Sequence, residues 1–172
     1  GVEDVILYEH GKLRIRHPTI AEYFATKAME RGRAFDCTSA LLFALARYGS
    51  PIRATAPSGG RRLFISLVNH EFLWHMFRQQ KASVIELFNS LERYCKWDGL
   101  FWLQYALFEE KCRGDKIKDA VDHIRTALDL YPTSYQIINA YANIHITAAL
   151  NANAAAEALG IMEAASDMLE QQ

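Results

Sequence analysis

The first fifteen or so residues carry a β-like pattern of apolar positions. Val5-Ile6-Leu7-Tyr8 is a β-rich run, and Leu13 and Ile15 alternate with Lys12, Arg14 and Arg16. Gly11, in the connection Glu9-His10-Gly11, supplies the positive φ that a tight turn needs, so residues 5–17 are expected to form a β-hairpin. A lone hairpin is marginal in water and must lean on neighbouring structure.

Beyond Pro18 the period becomes helical. Pro18 has its φ preset for a first turn, Thr19 and Glu22 form a capping box, and Ile20, Tyr23, Phe24 and Ala28 make a stripe that Gly32 ends. A second helix is expected from about Asp36, read as its N-cap, to Tyr48, with Leu41, Leu42, Leu45 and Tyr48 on one face. Residues 49–61 hold two prolines, three glycines and two serines and read as a loop and internal boundary. Helices are then expected over about 63–79, 82–96 and from Phe101 to Cys112, followed by one ending at Tyr131-Pro132. Another carries Ile137, Tyr141, Ile144 and Ala148, and a last one covers about 154–170. Turns fall at Trp97-Asp98-Gly99 and Arg113-Gly114-Asp115, and Thr133 or Ser134 caps the helix after Pro132. Paired helices with one apolar face each bury it by stacking on their neighbours, which is how a solenoid is built.

The stretch from Trp102 to Pro132 resembles a tetratricopeptide repeat. Trp102, the large-small pair Tyr105-Ala106, the turn Gly114-Asp115, Ala120, Ile124, Ala127 and Pro132 stand where that family has them, with about two extra residues between Ala106 and Ala120. Ile138, Tyr141 and Ala142 repeat the offsets of Trp102, Tyr105 and Ala106, 36 residues on. Residues 63–96 form a helical pair without the signature. A second resemblance is to large bacterial signal-transduction ATPases of the STAND class, several of them antiphage-defence proteins. Arg14-Ile15-Arg16-His17-Pro18-Thr19-Ile20-Ala21-Glu22 looks like the end of their winged-helix region, and Phe101-Trp102-Leu103-Gln104-Tyr105-Ala106 looks like their repeats. Ser58-Gly59-Gly60-Arg61-Arg62 lacks the Gly-Lys-Ser/Thr ending that cradles phosphate. The resemblance therefore implies an ATPase core upstream of Gly1, and the absence of an initiating Met is expected for a piece of a longer chain.

The expected fold is mainly α: a short N-terminal β-hairpin followed by helical hairpins stacked as a TPR-like α-solenoid. Residues 1–50 form the hairpin with two helices, 51–61 the loop and 62–172 the repeats. The expected function is a protein-interaction or sensor module that binds a trigger protein, such as a phage protein, or a neighbouring protomer. The alternative is a free-standing tetratricopeptide adaptor.

Composition narrows the picture. Nineteen basic and 20 acidic residues give a net charge of −1, which argues against nucleic-acid or membrane-surface binding as the main task. Cys37, Cys95 and Cys112 are odd in number and form no CxxC, which fits a reducing, cytoplasmic compartment. No apolar run reaches the roughly 20 residues of a membrane helix, and no signal peptide opens the chain. An exposed hairpin edge would favour homo-oligomers.

Candidate chemistry is sparse, and no cofactor is expected. His70 and His75 invite a metal-hydrolase reading, but at i, i+5 they lie about 140° apart on a helix, where a zinc pair needs about 40°. His17, between basic residues and Pro18, is read either as a nucleotide or phosphate contact in the full-length protein or as a solvated residue at a helix start. Glu109-Glu110 with Asp119 and Asp122 read as a solvated charged face, Lys118 and Asp122 being at i, i+4. Aromatics make up 12% of the chain and mostly fall on core stripes; Trp74, Trp97 and Tyr135 do not, and stand as candidate partner contacts. Arg61 and Arg62, with Arg53 nearby, form the densest basic loop and join them.

Overall fold

The computed structural model describes residues 6–9, 12–15, 33–49, 59–112, 116–151 and 155–170. The chain divides into two compact units, Gly1–Leu67 and Val68–Gln172.

In the first unit, β1 (Ile6–Glu9) pairs antiparallel with β2 (Lys12–Ile15), in the register Ile6 to Ile15, Leu7 to Arg14, Tyr8 to Leu13 and Glu9 to Lys12. The expected helix from Pro18 and its stop at Gly32, and with them His17, lie outside the described residues. α1 (Ala34–Gly49) packs on α2 (Gly59–Leu67), and Leu42, Ala46 and Phe64 are buried. Two expectations shift here. Cys37 N–H already donates to Arg33 O at 3.0 Å, so α1 starts earlier and Asp36 sits in its first turn rather than at its N-cap. The loop placed at 51–61 yields Gly59, Gly60 and Arg61 to α2; glycine lowers helix propensity by about 1 kcal/mol but does not forbid a helix start.

The helix expected over about 63–79 is two helices. Asn69 has a non-helical φ of −54° and ψ of 127°, and its Oδ1 accepts the N–H of Glu71 at 3.0 Å and of Phe72 at 3.1 Å. That is an N-cap, and it opens α3 (His70–Phe77). A 3₁₀ turn, Arg78–Gln80, leads into α4 (Lys81–Cys95). Then come α5 (Gly99–Cys112), α6 (Lys116–Leu130), α7 (Tyr135–Asn151) and α8 (Ala155–Glu170). The turn expected at residues 113–115 lies outside the described residues.

The hand-over from α4 to α5 is closed by side chains. Trp97 Nε1 donates to Tyr94 O at 3.0 Å and Trp102 Nε1 to Lys96 O at 3.1 Å, satisfying carbonyls that a helix end leaves open. Asp98 Oδ1 accepts Leu100 N–H at 3.0 Å and its carbonyl accepts Phe101 N–H at 3.0 Å, which starts α5.

α5 is the centre of this unit. Apolar side chains fall all round it, and such a helix must be covered on all sides; Phe101, Trp102, Leu103, Tyr105, Ala106 and Phe108 are buried. It packs against α3, α4, α6 and α7. α6 is amphipathic instead: Ala120, Ile124 and Ala127 are buried while Lys118, Asp122, Arg125 and Asp129 are exposed. Its alanines let α5 approach closely. Phe88 of α4 stacks on Tyr105 at 4.5 Å between centroids and 5° between planes, and Phe101 and Phe108 complete the aromatic core. Each such ring contributes about 2–3 kcal/mol by burial.

Each helix from α5 on packs on the next, and α3 on α5 and α5 on α7 also touch. Alternate helices therefore form one layer, α3–α5–α7. The contacts His70 to Gln104 and Trp74 to Phe108 both run forward along the chain at an offset of 34 residues, so α3 and α5 are parallel neighbours. No described helix is long and apolar enough to cross a membrane.

Candidate functional site

The α3–α5–α7 layer carries an open groove of about 520 Å³, lined by His70 and Glu71, by Glu110 and Lys111, and by Thr147, Leu150 and Asn151. Each helix contributes one short stretch. Gln104 fixes the α3 side: its Oε1 accepts the backbone N–H of His70 at 3.0 Å and lies 2.8 Å from His70 Nδ1. A carbonyl oxygen only accepts, so Nδ1 carries a proton. Glu71 Oε1 lies 2.9 Å from Lys111 Nζ and 3.3 Å from His70 Nε2. The hydrogen bond from Lys111 leads in holding the Glu71 carboxyl below its ordinary pKa, so this carboxylate is charged at neutral pH.

Across the groove, Thr147 Oγ1 lies 2.9 Å from Asn143 O and 3.2 Å from Glu110 Oε1. A hydroxyl has one proton, and the nearer acceptor is the helix's own carbonyl. Glu110 thus keeps most of its accepting capacity. Leu150 is 57% exposed at the rim.

A second concavity, of about 250 Å³, opens between α4, α5 and α6 and is lined by Ile85, Asn89, Tyr105, Glu109, Asp119, Asp122 and His123. Here the reading of Glu109 as part of a solvated charged face is corrected. Its side chain is 1% exposed and its Oε2 lies 2.6 Å from His123 Nδ1. Its position on α5 explains this: Trp102, Tyr105 and Glu109 fall at i, i+3 and i+7, so the carboxylate shares the face packed on α6. The His123 ring stacks on Tyr105 at 4.2 Å and on Trp102 at 5.1 Å. Tyr105 Oη donates to Asn89 Oδ1 at 2.6 Å. Burial, then the charges of Glu109 and Asp119, push the Tyr105 hydroxyl well above its ordinary range, so it remains a donor. Asp122 faces Arg125 at 3.9 Å, and both are exposed.

The candidate contact residues are scattered. Trp74 is half-buried, edge-on to Phe108 at 5.9 Å, with Lys81 Nζ 4.7 Å from its ring centre. Trp97 spends its N–H on the end of α4. Tyr135, at the start of α7, is 64% exposed. Arg61 and Arg62 fall in α2, in the other compact unit, and their side chains lie outside the described residues, as does Arg53. Trp74, Trp97 and Tyr135 do not line the groove; the residues that do are polar and charged side chains at helix ends together with Leu150, which no aromatic pattern marks. The 34-residue offset from His70 to Gln104 was the available signal, hidden because the first helix of that pair lacks the large-small dipeptide.

His70 is tied to Gln104, and His75 is exposed on the same short helix. Among the described residues no group of three or more His, Cys, Asp or Glu is placed to hold a metal ion. Cys37 is exposed, Cys112 half-buried and Cys95 buried; burial, then the charge of Asp98, push the Cys95 thiol up to about 12.

No family model, no curated protein and no solved structure matches the chain.

Proposed function

We propose that this chain is a protein-interaction module, and that its Val68–Gln172 unit holds a peptide segment of a partner across the α3–α5–α7 layer in the manner of a tetratricopeptide array. The observation that carries the reading is the parallel contact of α3 with α5 at an offset of 34 residues, the repeat length of that family, beside an open groove to which three successive layer helices each give side chains. With the STAND-like residues of the first twenty or so positions, the broader reading is the sensor arm of a larger bacterial signalling or antiphage-defence ATPase. Its partner would be a trigger protein or a neighbouring protomer.

The test is selection of a random displayed peptide library on the whole chain, with the double charge reversal Glu110→Lys, Lys111→Glu as counter-target. Enriched peptides should bind the parent chain at least about tenfold more tightly than the reversed one, about 1.4 kcal/mol. No enrichment, or equal binding to both, would remove the reading.

A further inference from the structure

We infer that the segment held in the α3–α5–α7 groove presents a basic side chain beside an apolar one, the first to Glu110 and the second to Leu150. This rests on the peptide-binding reading above and gives its partner a chemistry.

The groove contains two carboxylates and one lysine. Lys111 is taken: its ammonium sits 2.9 Å from Glu71, which also faces His70. Glu110 is not matched in this way. Among the described residues its partner is the Thr147 hydroxyl alone, at 3.2 Å, and that hydroxyl has a nearer acceptor in Asn143 O. Among the described residues the groove's uncompensated charge is therefore negative, and it is fixed to one helix position rather than spread over the surface. A guanidinium or ammonium placed against Glu110 gains a charge-assisted hydrogen bond without breaking the Glu71–Lys111 pair. An acidic side chain there would meet the like charge of Glu110 and would have to take Lys111 from Glu71.

Leu150 supplies the second element. It is one of the few large apolar side chains more than half exposed among the described residues, and it lies on the α7 wall, one turn beyond Thr147. Asn151 beside it offers both an amide donor and an acceptor for the backbone of an extended segment. An apolar residue next to the basic one thus covers Leu150 while its peptide groups meet Asn151.

The experiment uses fluorescein-labelled random peptide pools with one fixed central pair, Arg-Leu, Asp-Leu, Arg-Ser or Asp-Ser, titrated with the whole chain by polarisation. Arg-Leu should bind about fivefold more tightly than Asp-Leu, about 1 kcal/mol for a partly exposed ion pair, and Glu110→Gln should close that gap. Leu150→Ser should close the gap between Arg-Leu and Arg-Ser. Both positions are at the surface, and unchanged helical circular dichroism verifies the fold of each variant. An equal or tighter Asp-Leu pool, or a gap that survives Glu110→Gln, would overturn this inference alone. Absence of binding by every pool would overturn it together with the peptide-binding reading.

Discussion

Nδ1 of His123 lies 2.6 Å from Oε2 of Glu109, and the carboxylate is 1% exposed while the imidazole is 23% exposed. The pair ties α5 to α6 from opposite helices, with Trp102 and Tyr105 stacked on the ring. Removing either member breaks this contact between the two helices. Glu109→Ala is expected to cost about 3 kcal/mol, at the low end for buried pairs because His123 keeps some solvent. His123→Ala should cost a similar amount, since it takes the imidazole from the more deeply buried carboxylate. Replacing both by leucine should recover most of the loss. Urea unfolding with a helical signal measures all three; a double variant as unstable as the singles added together would contradict this view of the pair.

Gly99 opens α5 against the end of α6. A Cβ placed there would stand 2.7 Å from Cδ2 and 3.1 Å from Cγ of Tyr131, and 3.2 Å from the backbone oxygen of Ala127. The first contact is with an aromatic ring and the last with a helix carbonyl, so neither yields freely. Alanine gains up to about 1 kcal/mol of helix propensity, and overpacking costs about 1–3 kcal/mol. Gly99→Ala should therefore destabilise by about 1 kcal/mol, read as a lowered unfolding midpoint at unchanged m-value.

Asn69 separates α2 from α3 by capping the latter. Asn69→Ala should cost about 1–2 kcal/mol, and Asn69→Ser, which keeps an acceptor for the Glu71 and Phe72 N–H groups, much less. Amide exchange at Glu71 and Phe72 should rise in the alanine variant and stay near parental in the serine variant.

In alkali, two buried acids work against the fold. The Cys95 thiol is raised from an ordinary 9.0 to about 12, chiefly by burial. The Tyr105 hydroxyl is likewise raised above its ordinary 10.0, by burial and then by Glu109. Folding favours the protonated form of each, so this stability is complete below about pH 9 and is lost as pH rises toward the folded-state values. Spectrophotometric titration should show one tyrosine ionising only with loss of helix. At pH 8, Ellman's reagent should label exposed Cys37 quickly and Cys95 only after denaturation. Ionisation of all tyrosines in one reversible step near pH 10 would contradict the burial of Tyr105.

The helices from α4 to α8 were legible because their apolar positions recur at the helical period and because Tyr-Ala repeats at 105 and 141. The break at Asn69 was not: the apolar run continues through Val68, and only the side-chain cap interrupts the backbone. Glu109 was misread for a related reason. Beside Glu110 and Lys111 it looks like surface charge, yet its place on the Trp102–Tyr105 face sets it against α6, and its partner His123 lies on another helix. The groove was invisible because residues 63–96 lack the repeat signature, so the 34-residue spacing that sets α3 beside α5 carried no mark in the sequence. Trp97, an aromatic residue off the core stripes, completes a helix terminus instead.

The most direct measurement is hydrogen–deuterium exchange of the whole chain with and without a peptide selected on it. Protection is expected at the first turn of α3 and at the ends of α5 and α7, around His70, Lys111 and Asn151. Protection confined to the α4–α6 face around Asn89 and His123, or none, would contradict the groove as the binding surface.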